Sequence, residues 1–267
     1  MKKKNHPLHG HGYGGANLDN VQIITLKEVD STNNYLRNLA ADEVKNEIVV
    51  AVAKNQTAGR GQRGNSWESE AGKNLTFSIL IRPTFLEARQ QFILSQAIAL
   101  SIKEVLYDYV RSPHPRIKWP NDIYWKDKKL AGILIENMLE GKYISQCIVG
   151  VGLNVNQREF LSSAPNPVSL YQILGAEIDR EELLKKILQR IVSGYTALES
   201  ELPNIQKAFE ALYRKQLYRR KGLYPYQDAN GVFMAEFDHI APDGHLFLKD
   251  EQGNIRRYAF KEVSYIL

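Results

Sequence analysis

Hydrophobic positions change their period repeatedly along the chain. Val21 to Val29 reads as a strand, after which Asp30-Ser31-Thr32 supply the side-chain oxygens that begin a short helix, predicted through about Ala41. Ile48 to Ala53 is an apolar run of strand length, followed by a loop from Gln56 to Ser66. Leu75, Phe77, Ile79 and Ile81 alternate with Thr76, Ser78 and Leu80, which predicts a sheet strand with one fully apolar face. Leu94, Ile98, Ile102, Val105 and Tyr109 then recur at three- and four-residue steps, predicting a helix from about Glu87 to Val110. Arg116 to Trp119, Leu130 to Met138 and Ser145 to Asn154 are three further strands, expected in the sheet interior. Two amphipathic helices follow, one carrying Leu184, Ile187, Ile191, Tyr195 and Leu198, the other Ile205, Phe209, Leu212 and Tyr213. Past Arg219 the runs Val232 to Phe237, His245 to Lys249 and Ile255 to Phe260 are short and β-rich. Asn230-Gly231, Asp243-Gly244 and Gly253-Asn254 separate them as hairpin turns.

This layout predicts an α+β protein: a flexible Gly/His-rich tail over residues 1–20, a main domain over 21–218, and a small β module over 219–267. The module is too short to bury much surface alone, so it should pack on the main domain. Composition agrees, since 43% apolar and 24% charged residues in a chain of 267 are ordinary for a globular protein. The net charge of +5 suits phosphate-bearing ligands or acidic partners without identifying a nucleic-acid binder. The segment ahead of Val21 is too short and too rich in Gly and His for a helix-turn-helix, so no nucleic-acid partner is expected. No apolar core follows Met1-Lys2-Lys3-Lys4, and no run reaches the roughly 18 apolar residues of a membrane span, which predicts a cytoplasmic protein with no membrane partner. His6, His9 and His11 could bind a metal, although a disordered tail accounts for them as well. Cys147 is the single cysteine, which rules out an internal disulfide or a cysteine-rich zinc site and reads as a buried thiol.

Four segments carry candidate chemistry. Gly59-Arg60-Gly61-Gln62-Arg63-Gly64-Asn65-Ser66-Trp67 joins glycines that expose backbone N–H groups to arginines that offer planar forks for phosphate or carboxylate, although a solvated surface hairpin would read the same way. Lys118-Trp119-Pro120-Asn121-Asp122 sets a cation, an aromatic and an Asn-Asp pair at a strand-to-turn junction. Lys129-Leu130-Ala131-Gly132 places a lysine at the mouth of an apolar strand, where a solvated strand end is the plainer explanation. Gly150-Val151-Gly152-Leu153-Asn154 pairs glycines inside a buried strand, which indicates either close approach of another group or a bulge.

In order and spacing these segments, together with Asp30-Ser31-Thr32-Asn33 and Gln56-Thr57-Ala58, resemble the biotin protein ligase family over Val29 to Asn156. The later helices and the β module fit that family by layout only. The resemblance implies a mixed-sheet, class II synthetase-like catalytic domain covered by helices on one side, with a C-terminal SH3-like barrel. It also implies a monofunctional enzyme that uses ATP and Mg²⁺ to form biotinyl-5′-AMP and passes biotin to a lysine of a biotin carboxyl carrier domain. By motif position, Ser31, Thr32, Asn33 and Gln56 would contact the biotin rings, while Arg60, Gly61, Gln62 and Gly132 would line the path to its carboxylate. Lys129 would reach that carboxylate and the α-phosphate, and Arg63, Asn65, Trp67, Lys118, Asn121 and Asn154 would hold the nucleotide. Asp122 would deprotonate the acceptor amine, making Lys129, Arg60 and Asp122 the catalytic set. Family members often have Arg where this chain has Gln62 and Asn65, which shifts phosphate binding toward Arg60, Arg63 and Lys129. A lipoate or octanoate ligase of the same fold and a biotin-dependent repressor are the competing expectations. A homodimer is allowed by exposed sheet edges but required by nothing in the sequence.

Overall fold

The computed structural model describes residues 16–39, 44, 46–162, 164 and 166–267, with the side chains of residues 63 and 203 outside the description. His6, His9 and His11, and the tail up to position 15, lie outside the described residues. In chain order the first sheet comprises β1 (Val21–Val29), β2 (Ile48–Gln56), β3 (Leu75–Ile81), β4 (Arg116–Lys118), β5 (Asp122–Trp125), β6 (Lys128–Glu140) and β7 (Tyr143–Leu153). Its spatial order is β1-β2-β3-β7-β6-β5-β4. Only β1 and β2 are parallel, and α1 (Thr32–Arg37) lies on the connection between them. The remaining neighbours are antiparallel, so the sheet is mixed as expected.

Several expectations need correction. α1 ends at Arg37, where Asn38 caps it by donating its backbone N–H to Asn34 and Tyr35, while Ala41 lies outside the described residues. β4 is an edge strand rather than an interior one, and β5 forms the adjacent hairpin arm that its short run of residues concealed. β3 is buried at all seven positions, not on one face. The reason is that α2 (Phe92–Tyr109) and α4 (Arg180–Gln216) cover one face, while Leu36 of α1 packs on Val49, Ala51, Leu80 and Ile148 of the other. α2 starts at Phe92 because residues Ala88–Gln90 form a separate 3-10 turn. The two predicted amphipathic helices are both present, meeting end to end within α4 at the non-helical backbone of Glu201. The short helix α3 (Leu170–Leu174) starts from a capping box in which Ser169 and Gln172 satisfy each other's backbone N–H groups.

The second sheet contains β8 (Tyr224–Asp228), β9 (Gly231–Ile240), β10 (Leu246–Asp250), β11 (Ile255–Tyr258) and β12 (Ser264–Tyr265), in the order β11-β10-β9-β8-β12. All its pairings are antiparallel, and β11 and β12 are left as edges, so strand pairing does not close a barrel. The sheet docks through aromatic groups. Trp119 donates its indole N–H to Gly244 O at 3.0 Å and meets Phe260 edge-on at 5.3 Å, and Phe260 also meets Phe92 of α2 at 6.1 Å. Gly244 has φ +94, and a Cβ there would lie 2.9 Å from the Phe92 ring, so both its backbone and its surroundings demand glycine. Trp119, singled out in the Lys-Trp-Pro-Asn-Asp segment, is thus an anchor between the sheets. Among the described residues no helix is long and apolar enough to cross a membrane.

Candidate active site

A cleft of about 930 Å³ opens on the α1 face of the first sheet, and the segments singled out in the sequence converge on it. Its floor is made of glycine. Gly132 of β6 pairs with Gly152 of β7, and Gly150 lies across from Ser78 of β3. A Cβ on Gly152 would come within 2.2 Å of the Trp67 ring, and one on Gly150 within 2.3 Å of Asn33 Oδ1. Both glycines are therefore sites of close approach, which decides against the bulge left open by the sequence.

At one end of the floor, Ser31, Thr32 and Asn33 at the start of α1 are each only 3% exposed. Burial of that degree obliges their polar atoms to find partners. The Thr32 backbone N–H donates to Gln56 Oε1 at 2.8 Å, and the Thr32 hydroxyl lies 3.1 Å from the same oxygen and 2.6 Å from the Ser78 hydroxyl. Ser78 donates to Asn33 Oδ1 at 2.5 Å, and Asn33 Nδ2 donates to Glu136 at 2.6 Å. The single Thr32 hydroxyl proton faces two acceptors, and the corner presents hydroxyls and side-chain amides side by side. Ser78 and Glu136 were missed in the sequence because a serine and a glutamate inside strand patterns carry no local signal.

Arg60 sits at the rim, donating to Asn34 Oδ1 at 2.8 Å and lying 3.5 Å from Glu136, which also pairs with Arg37 at 2.7 Å. Gly61 N–H donates to Asn65 O at 2.6 Å and Trp67 N–H to Gly59 O at 2.9 Å, so the glycine loop is a narrow hairpin with a 3-10 turn at Gln62–Gly64. Gln62 and Asn65 line the cleft. The Arg63 side chain lies outside the described residues.

The opposite end is cationic. Lys129 Nζ lies 2.9 Å from Asp122 Oδ1 and 5.6 Å from the centre of the Trp67 ring. Lys118 Nζ is held between the rings of Tyr124 and Tyr265, 5.0 and 4.7 Å from their centres. Burial holds the Lys118 amine below the usual lysine range; Asp122 opposes the shift, and the positive charges of Lys129 and Arg219 add to it. Burial likewise raises the Tyr124 phenol, keeping it neutral. Asn121 donates its side-chain amide to Ile133 O, which fixes the turn that presents Asp122. Asn154 donates to Val168 O at 3.1 Å, but its Oδ1 is buried without a partner, as is Trp67 Nε1. Two of the three buried side-chain atoms left unpaired among the described residues thus belong to residues that line this cleft, one a donor and one an acceptor.

The second sheet closes the wall with Lys261, Val263, Ser264, Tyr265 and Leu267. Nothing in the sequence pointed to them, because their place in the cleft depends on how the two sheets dock. Among the described residues no group of three or more His, Cys, Asp or Glu could hold a metal by itself. The cleft therefore offers uncharged hydrogen-bonding groups at one end, cations at the other, and glycine between them.

The chain matches the model of the biotin/lipoate A/B protein ligase family over residues 25–154. It is 35% identical over 246 residues to the biotin–[acetyl-CoA-carboxylase] ligase of Paracoccus denitrificans, covering 85% of this chain and 94% of that one. The bifunctional ligase/repressor BirA of Escherichia coli strain K12 is 32% identical over 191 residues, which is 69% of this chain and 56% of that protein. The chain thus spans little more than half the length of that relative. A solved structure of the Aquifex aeolicus biotin protein ligase in complex with biotin and ATP superposes with a TM-score of 0.74 at 30% identity, covering 91% of this chain and 97% of the other.

Proposed function

The chain belongs to the biotin protein ligase family, and from that premise we propose that it is an ATP-dependent ligase that joins biotin to a lysine of a biotin carboxyl carrier domain by way of biotinyl-5′-AMP. The observation that carries this reading is the polarity of one cleft: the uncharged hydrogen-bonding corner of Thr32, Asn33, Gln56 and Ser78 lies along a glycine floor from the cations Lys118 and Lys129. A cyclic urea presents two N–H donors and one carbonyl, which complements a corner that mixes hydroxyl and amide acceptors with donors. A plain acyl chain has neither, so the geometry favours biotin over lipoate or octanoate. The glycines let Trp67 and Asn33 pack directly on the sheet, so the aromatic ring and the amide bound the cleft where any side chain would displace them.

Adenylation brings two anions together, the biotin carboxylate and the α-phosphate, and charge builds on the phosphoryl oxygens as the bond forms. Lys129 and Lys118 face that position with fixed positive charge. Mg²⁺ accompanying ATP would neutralise part of the phosphate charge. Since no group of three or more His, Cys, Asp or Glu among the described residues could hold it, it would be held chiefly by the nucleotide. Trp67 and Asn154 border this end of the cleft. Their unpaired Nε1 and Oδ1 atoms lie buried behind its surface, where a small side-chain rotation would be needed to offer them to a nucleotide. Biotin supplies the attacking oxygen, so this step needs no protein nucleophile. In the second step the acceptor lysine attacks the acyl carbon, AMP departs, and Asp122 takes the proton of the incoming amine. In this scheme residues 21–218 form the catalytic domain and 219–267 an accessory module that completes its wall.

The deciding experiment incubates the purified protein with biotin, ATP, Mg²⁺ and a biotin carboxyl carrier domain and weighs the carrier by mass spectrometry. One added biotinyl group on its target lysine is the expected result. An unmodified carrier, or equal modification with lipoate in place of biotin, would overturn the reading.

A further inference from the structure

One contact joins the second sheet to the glycine loop across the mouth of the cleft. Lys261 Nζ donates to the backbone carbonyl of Gln62 at 2.6 Å, linking positions 199 residues apart. Resting on the ligase reading above, we propose that Lys261 is a positioning residue that latches the glycine loop over the reactants and so governs how long biotinyl-adenylate is retained.

Both sides of the contact are built for it. Lys261 has φ +70, a conformation that side-chain-bearing residues seldom adopt. It is fixed there by a turn in which Glu262 N–H donates to Ala259 O at 3.2 Å and the Glu262 carboxylate accepts from Ala259 N–H at 2.7 Å. That turn directs an exposed lysine side chain out of the second sheet and onto the loop crown. On the loop side, Gln62 O belongs to the single 3-10 turn Gln62–Gly64, where it also takes the Asn65 N–H at 3.3 Å. The loop's other backbone bonds, Gly61 to Asn65 and Trp67 to Gly59, shape the hairpin but do not set its angle to the cleft. A charged amine on a carbonyl is the stronger kind of hydrogen bond, and this one spans the opening itself. The intermediate is a mixed anhydride that water cleaves to biotin and AMP, so each opening of the loop before acceptor binding wastes an ATP.

The test preforms radiolabelled biotinyl-adenylate on the full chain with pyrophosphatase present, then follows its release and the acceptor-free production of AMP. Lys261→Met should release the adenylate about fivefold faster than wild type, the scale of one ordinary hydrogen bond. Lys261→Arg, which can still reach the carbonyl, should restore slow release. Lys261→Gly, suited to the backbone angle but lacking the amine, should release as fast as the Met variant. Equal release from wild type, Met and Gly variants would overturn the latch. Failure of the wild type itself to form any adenylate would instead overturn the ligase reading, and the latch with it.

Discussion

Lys129 and Asp122, 2.9 Å apart, stand at the point where the cleft's charge chemistry concentrates. The pair is partly exposed, so its own contribution to stability is small, and its value lies in aiming the amine across the Trp67 ring toward the glycine floor. Lys129→Ala should slow pyrophosphate release during adenylation by about tenfold or more, the equivalent of roughly 1.4 kcal/mol of lost charge stabilisation. Unchanged release would remove Lys129 from the mechanism. Asp122→Ala should impair biotin transfer from the adenylate more than adenylate formation, as single-turnover kinetics can resolve, and normal rates in both steps would refute its role as the base. Lys118 adds a pH signature. Its pKa lies below the ordinary 10.5, so as pH rises its positive charge is lost earlier than that of a solvated lysine. Adenylation should therefore decline on the alkaline side, and Lys118→Arg, whose guanidinium stays charged, should move that decline to higher pH. Superimposable alkaline limbs in the two proteins would show that the reaction does not use this charge.

At the scale of elements, α2 shows how a helix central to the core carries a polar burden. Its apolar positions pack beneath the sheet, yet Lys103 is also buried, with its amine 4.9 Å from the centre of the Tyr107 ring. Burial, reinforced by Arg116 and opposed by Glu104, lowers the Lys103 pKa from 10.5 to about 8. Between those values the unfolded chain holds a proton that the folded chain does not, so this residue makes stability rise with pH across the window. Below about pH 8 both states are protonated and the cost of a buried charge is fully present. Lys103→Met should raise the melting temperature at pH 7 and lose its advantage progressively above pH 8, as paired thermal melts would show. A constant difference from pH 7 to 10 would mean that the amine is not desolvated. β3 illustrates a related point: Ser78, buried in the middle of an apolar strand, is tolerated because α1 supplies Thr32 and Asn33 as partners.

Across the whole molecule, the cleft is walled by both sheets and spanned by the glycine loop, so ligand binding and loop order should be coupled. Biotin and ATP added together should protect residues 59–65 from protease more than either ligand alone, with the cleavage rate read by mass spectrometry. Equal cleavage in all four conditions would argue against closure. Docking of the second sheet by Trp119, Phe92 and Phe260 around Gly244 is the mechanical basis of that coupling, because the same docking carries Lys261 and Tyr265 to the cleft.

Period and turn chemistry were enough to place most strands of the first sheet, α2, and the hairpins past Arg219, since side-chain alternation and glycine turns are local properties of the chain. The Ser31-Thr32-Asn33 and Gly59–Trp67 segments and the lysines 118 and 129 could be picked out for the same reason: their residue types hold hydrogen bonds and charge wherever the chain takes them. Tertiary structure alone decided that β4 lies at an edge, that β3 is buried on both sides, and that Gly150 and Gly152 form a floor instead of a bulge. It likewise brought Ser78, Glu136, Tyr265 and Lys261 to the cleft, each supplied by a segment remote in sequence from its partners. Local sequence sets what a side chain can do, but which face it shares with another depends on register and docking, and those are fixed only when distant apolar surfaces meet.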